Sequence, residues 1–338
     1  MQKLRVREAI KQALADEMAS DPQVICLGED IAAAGGAFKV TEGLYEEFGP
    51  ARVMDTPISE TGFLGAAVGA AMCGMRPVVE MMFIDFIGVA LDGLVTEAAN
   101  VRYLSRGELT VPLVVRGSAG AGLGFGCQHS GMLDRWFRGT PGLKVGVVSG
   151  AESAYEMLRA AIRDPDLVVV LEPRALYARR EEVELPEVTD SSSIGRSKTV
   201  LAGDDVTIVT AGQMTSLAVK AVQDASWSAE VIDLRWLQPW DAEAVLASVR
   251  RTGRLVTFEE TPAAAGWGAD IVATVSTELH GELAAAAVRI TPPPVQVPFS
   301  GALEDRYLPT AGDLVRQVDD LLAGARPAPW WTTEGALA

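Results

Sequence analysis

One carboxyl, one imidazole and two aromatic rings carry the chemistry this chain offers. Glu60 opens the run Glu60-Thr-Gly-Phe-Leu-Gly-Ala-Ala-Val-Gly-Ala-Ala-Met72, and no charge follows until Arg76. Pro57 pushes Thr56 into an extended conformation, and Ser59 reads as a helix N-cap. Glu60 is therefore a lone acid at the mouth of an apolar helix. A first-turn acid that complements the helix dipole accounts for it, and so does an acid held to share a proton with a ligand. Burial without a cation would raise its pKa and a helix N-terminus would lower it.

His129 follows the loop Gly117-Ser-Ala-Gly-Ala-Gly-Leu-Gly-Phe-Gly126 in the stretch Cys127-Gln-His-Ser130. Glycines at 117, 120, 122, 124 and 126 never give GxGxxG, so a dinucleotide fingerprint is not formed. The expected role is a mobile loop that lets backbone approach a ligand and delivers the residues after it. Imidazole is the natural proton donor near neutral pH. The other histidine, His280, ends a polar helix and reads as its C-terminal cap. Phe83 and Phe86 bracket Asp85 where a strand gives way to a helix. They suit two core aromatics equally with rings that stack on a flat heterocycle.

The elements that must position these groups alternate between strand and helix. An amphipathic helix is expected over 4–19, then strands at 24–27, 78–81, 110–115, 143–148 and 167–171. Helices are expected over 43–48, from Glu60, from Phe86 to about Tyr103 and over 151–163. Several strands are apolar on both faces, which implies a parallel sheet covered on both sides. After an acidic stretch with Pro186 and Ser191–Ser193, a second block repeats the alternation. Its strands fall at 206–210, 229–234, 255–258 and 288–291, the last an edge strand, and its helices at 215–225, 241–251 and 269–279. The fold class is thus α/β with two domains, at 1–185 and 205–325, a linker at 186–204 and an unassigned tail at 326–338.

Composition excludes much. A net charge of 29 − 45 = −16 argues against nucleic acid or an anionic membrane surface as partner. The N-terminal decapeptide has no apolar core of signal-peptide length, and Gly62–Met75 is too short and glycine-rich to span a bilayer. Cys26, Cys73 and Cys127 are odd in number and suit free thiols in a reducing cytoplasm. Two histidines and no CxxC disfavour a His/Cys metal centre.

From about residue 4 to 320 the motifs occur in an order that resembles the β subunits of the thiamin-diphosphate-dependent first component of 2-oxo acid dehydrogenase complexes. They are Ile58-Ser-Glu60-x-Gly62, Gly74-x-Arg76-Pro77-Val78, Gln128-His129-Ser130, Pro141-Gly-Leu-Lys-Val145, Ala161-Ile-Arg-Asp164 and Leu171-Glu-Pro173. The second block adds Val231-Ile-Asp-Leu-Arg235, Gln238-Pro239, Leu303-Glu-Asp305 and Tyr307-Leu-Pro309. The resemblance implies a pyrimidine-binding domain followed by a transketolase-type C-terminal domain. It also implies an α2β2 heterotetramer that holds thiamin diphosphate between α and β. Glu60 would bind the aminopyrimidine ring nitrogen and favour the imino tautomer that generates the thiazolium ylid. Phe86, with Phe83 near it, would lie beside the pyrimidine, and His129 would assist acyl transfer to the lipoyl arm of a second component. A structural potassium ion would sit near Leu113, Val114, Ala161, Asp164 and Asp166, largely on backbone carbonyls.

In this superfamily the diphosphate and Mg2+ sit on a Gly-Asp-Gly motif with an asparagine downstream. This chain has no Gly-Asp-Gly and one asparagine, Asn100, so the resemblance requires an α subunit to hold them. Met82 to Val89 with Leu91-Asp92 looks most like acetoin dehydrogenase β chains, with pyruvate and branched-chain 2-oxo acid enzymes close behind. Half of a split transketolase is a more distant alternative, made poor by the scarcity of basic and histidine residues for a sugar phosphate. The chain departs from the family pattern at Gly93, at Gly131, at 265–270 and at Pro292–Pro294. Gly131 stands where the family commonly has glutamine, beside His129, and bears on substrate choice and lipoyl docking.

Overall fold

The computed structural model describes residues 1–186 and 190–332. The chain divides into two compact units, one of residues 1–120 and 128–194, the other of 121–127 and 195–338. The expected linker and tail lie partly outside the described residues, at 187–189 and 333–338.

The first unit begins with β1 (Gln2–Arg5) and α1 (Val6–Ser20). Buried positions 6, 9, 10, 13, 14, 17 and 18 fall on one face of α1 at helical spacing. There follow β2 (Val24–Gly28), α2 (Leu44–Phe48), β3 (Val53–Asp55), α3 (Glu60–Met72), β4 (Arg76–Phe83), α4 (Ala99–Leu104), β5 (Val114–Ala119), β6 (Lys144–Val147), α5 (Ala151–Arg163), β7 (Val168–Pro173) and β8 (Arg180–Val183). Six strands pair in parallel in the order β6-β7-β5-β4-β2-β3. All of β5 and β7 is buried, as expected of strands covered on both faces. β1 and β8 form a separate antiparallel ribbon in which Arg5 pairs with Arg180.

From β2 the chain lays β3 on one side and β4 on the other, so the connections reverse direction there. A crevice opens at the carboxyl ends of strands at such a reversal, where ligands of α/β sheets collect. Glu29, Asp55, Phe83 and Asp85 all lie at or just beyond those ends.

The second unit contains β9 (Lys198–Leu201), β10 (Val206–Thr210), α6 (Met214–Asp224), β11 (Ala229–Asp233), a three-residue strand β12 (Trp236–Gln238), α7 (Ala242–Thr252), β13 (Leu255–Phe258), α8 (Gly268–Glu278), β14 (Val288–Ile290), α9 (Gly301–Glu304) and α10 (Ala311–Leu322). Its sheet runs β14-β13-β10-β11-β9, with β14 at the edge as expected and β9 antiparallel to β11. β9 falls within the stretch read from sequence as linker. Val206, Ile208, Val231, Val256 and Phe258 pack with Met214, Ala218, Leu314 and Val318 in its core.

Candidate functional site

Glu60 is the first residue of α3. Ser59 occupies the N-cap position, but its hydroxyl makes no capping bond; the Gly62 and Phe63 amides donate instead to its carbonyl. Thr61 Oγ1 donates to the Val89 carbonyl at 2.6 Å, which ties the first turn of α3 to the segment after β4. The Glu60 side chain is half-buried and forms no hydrogen bond or ion pair among the described residues. Its charge reaches Glu29, one residue beyond β2. Glu29 is 8% exposed and its Oε1 has no hydrogen-bond partner among the described residues. Burial, then the charges of Glu60 and Asp30, push the Glu29 carboxyl above its usual range. Glu29 was not singled out by type, because only the fold brings it within reach of Glu60.

A second cluster forms beyond β4 and β7. The His129 ring stands edge-on to Phe83, centroids 4.5 Å apart, and to Phe86, 5.3 Å apart. Phe83 also meets Phe86 at 5.7 Å and Phe38 at 5.5 Å, both edge-on. The buried Arg174 guanidinium lies 5.2 Å from the Phe83 centroid and donates through Nη2 to the His129 carbonyl at 2.6 Å. The structure thus brings together Phe83, Phe86 and His129, three of the residues singled out by type. Arg174 was not singled out, because only the fold places it beneath the histidine.

A buried charge network links β4, β5 and β7. Arg116 donates to Glu172 through Nε at 2.7 Å and Nη2 at 2.6 Å, and to Glu80 through Nη1. Tyr177 donates to Glu172 Oε2 at 2.6 Å. Burial outweighs the attraction of Arg116 and leaves the Glu80 carboxyl raised. Fully hydrogen-bonded charges of this kind make a framework.

The glycine-rich loop differs from its expected mobile character. Gly117 belongs to β5, and residues 121–127 group with the second unit. There the Ala121 amide donates to Glu260, and those of Gly122 and Gly124 to the two oxygens of the buried Glu304. Three backbone donors are fixed by carboxylates from distant sequence. His280 is exposed and lies one residue past Leu279, which takes the C-cap position of α8; the expected capping role moves to its neighbour.

Asn100 is spent within its own helical segment, where its amide donates to the carbonyls of Val95 and Thr96. Among the described residues no three His, Cys, Asp or Glu side chains are grouped to hold a metal ion. The expected potassium positions adjoin a corner rich in cations. Lys144 reaches Asp164 at 2.6 Å, Arg102 reaches Asp166 at 2.5 Å, and Arg76 donates to the carbonyls of Ile162 and Asp164. Leu113 and Ala161 each already accept one amide, from Val168 and Asp164. No helix among the described residues is long and apolar enough to cross a membrane.

The parallel sheet with a lone acid and aromatic cluster at its switch point matches a known class. Residues 2–180 match the transketolase pyrimidine binding domain, and residues 195–314 the transketolase C-terminal domain. The chain is 44% identical over 319 residues to the mitochondrial pyruvate dehydrogenase E1 component subunit beta-1 of Arabidopsis thaliana, covering 93% of this chain and 88% of that one. It is 41% identical over 337 residues to the acetoin:2,6-dichlorophenolindophenol oxidoreductase subunit beta of Cupriavidus necator, covering 96% and 99%. A split-gene transketolase, solved as an inactive β4 tetramer, superposes with a TM-score of 0.77 over 96% of this chain and 99% of that one, at 24% identity. The chain therefore belongs to the family of β subunits of pyruvate and acetoin dehydrogenase components.

Proposed function

We propose that this chain supplies the pyrimidine-side half of a thiamin-diphosphate site in an α2β2 dehydrogenase component that cleaves a 2-oxo acid or acetoin. The observation that carries this is Glu60: half-buried, with no hydrogen-bond or ion-pair partner among the described residues, at the crevice of the sheet. An acid so placed fits a ring nitrogen that shares its proton. Phe86 and Phe83 offer ring faces and edges of the kind that hold a flat heterocycle. When bound, thiamin diphosphate supplies the electron sink for cleavage beside a carbonyl.

Glu60, the first residue of α3, would hold the ring nitrogen of the aminopyrimidine through its carboxyl. His129, held by Arg174 at its carbonyl and in T-shaped contact with two phenyl rings, donates or accepts a proton during acyl transfer to a lipoyl group. Asn100 is engaged elsewhere, so the diphosphate and Mg2+ fall to an α subunit. A potassium ion here would use the second lone pairs of the Leu113 and Ala161 carbonyls. The carboxylates of Asp164 and Asp166 are already neutralised. The free thiols of Cys26, Cys73 and Cys127 fit the reducing cytoplasm expected from sequence.

Co-expression with the candidate α chain tests the reading. A tetramer that turns over pyruvate or acetoin only with thiamin diphosphate is expected, and the substrate panel chooses between them. A stable lone chain whose activity in any mixture ignores the cofactor would overturn it.

A further inference from the structure

The segment 129–131 is anchored at three backbone points. Arg174 donates to the His129 carbonyl, Gly120 N–H donates to the Gly131 carbonyl at 3.2 Å, and Gly131 N–H donates to Asp85 Oδ1 at 3.0 Å. The last contact is the only one of the three made by a carboxylate. It also dictates the residue at 131. A Cβ built there would come within 2.6 Å of Asp85 Oδ1 and 3.0 Å of Leu133, so any side chain would drive the loop and Asp85 apart. Gly131, a departure from the family pattern in sequence, is thus the partner of Asp85 in space.

Asp85 is a costly choice for mere packing. Its Oδ2 is shielded from solvent and has no hydrogen-bond partner among the described residues. A buried acceptor left without a partner destabilises the fold. Burial raises the Asp85 carboxyl, against the pull of the Gly131 amide and of the charges on Arg174 and His129. Such departures from full satisfaction gather where function requires them.

We infer that Asp85 is a positioning residue: through the Gly131 amide it sets the height of the 129–131 segment and so holds the His129 ring between Phe83 and Phe86. Asp85 lies between Phe83 and Phe86 in sequence, so one short segment after β4 fixes both walls and the loop that carries the ring. The inference rests on the proposed acyl-transfer role of His129 for its kinetic consequence, and on geometry alone for the anchoring.

The test uses the reconstituted tetramer with pyruvate or acetoin, whichever it turns over. Two half-reactions are followed, lipoamide acylation and reduction of dichlorophenolindophenol. Hydrogen exchange is measured on the peptide containing Gly131. Asp85→Ala is expected to slow acylation roughly tenfold or more, because small misplacements are costly, while dye reduction changes by less than about threefold. Its Gly131 amide should exchange faster. Asp85→Asn keeps an oxygen for Gly131 and should restore both acylation and protection. Gly131→Ala, whose Cβ meets Asp85 Oδ1 most closely, should slow acylation in the same way, and the double variant should lose less than the two single losses multiplied, since they share that contact. Asn as poor as Ala, multiplying losses in the double variant, or unchanged exchange in Asp85→Ala would each overturn the inference. Should His129→Ala slow both half-reactions equally, the acyl-transfer reading fails while the exchange and double-variant results still decide on Asp85.

Discussion

Two pairs of carboxylates in the first unit have opposite surroundings. Glu80 and Glu172 lie in the sheet around Arg116, and Tyr177 completes the network. Glu29 and Glu60 lie at the carboxyl edge with no ion pair among the described residues, and the charge of one raises the carboxyl of the other. The first pair is what a fold does with acids it must bury: a fixed cation and good hydrogen bonds offset part of the desolvation, although burial still leaves Glu80 raised. The second pair is what a fold leaves uncompensated, and such groups concentrate where protons move.

The sharpest way to break that comparison is at Glu60. Glu60→Gln keeps size and hydrogen bonding but cannot shuttle a proton. Overall activity of the tetramer should fall about 10²–10⁴-fold, the usual range for a positioned acid or base, with little change in melting temperature. Activity within a few-fold of the parent would return Glu60 to the role of a helix-dipole acid.

Arg116→Met should give the converse result. It strands Glu80 and Glu172 without their cation, and breaking a buried pair in this way costs about 3–5 kcal/mol. The expected readout is a large drop in the unfolding midpoint, with residual folded tetramer retaining its catalytic rate per active site. A rate lost without a stability loss would mean that the network serves the chemistry directly.

His129→Ala probes the aromatic cluster rather than either acid pair. Acyl transfer to lipoamide should fall roughly 10²-fold, and dye reduction much less. Equal losses in the two assays would place His129 in cleavage itself.

Much of this arrangement was legible in the chain, and the reason is chemical isolation. Glu60 shows because fourteen uncharged residues, 62–75, follow it closely. His129 shows because the chain has two histidines and this one ends a glycine-rich loop. Strands such as β10 and β13 and the helix α5 occupy the residues expected, since their apolar runs have clear ends. Pairings between distant polar segments did not show. β1 and β8 are rich in charge and find each other 175 or more residues apart, which no local pattern signals. The stretch after β4, read as one helix to Tyr103, is instead a 3₁₀ segment at Ile84–Ala90, a π segment at Asp92–Ala98 and the short α4. Gly88 and Gly93 weaken regular helix there, and the first of these segments carries Asp85 and Phe86. Arg174 and the bond from Gly131 to Asp85 are consequences of tertiary packing and have no signature in spacing.

The smallest expected effect separates the two acid pairs most cleanly. The Glu29 carboxyl is raised in the folded chain, so the folded state binds its proton more tightly than the unfolded state does. The sign follows: with the unfolded chain ionised and the folded carboxyl reluctant, Glu29 detracts from stability above its folded pKa. That cost fades as pH falls, and it is gone below the unfolded carboxylate range. Glu29→Gln should therefore raise the unfolding midpoint by about 1–3 °C at pH 8, a shift that corresponds to less than about 1 kcal/mol in a unit of this size. The gain should shrink as pH drops through the carboxylate range. Repeating the scan in the Glu60→Gln background should reduce it further, because the charge that Glu60 contributes is then absent. A destabilised Glu29→Gln chain at every pH would show Glu29 to be held by partners, as Glu80 and Glu172 are by Arg116, and the contrast between the two pairs would not hold.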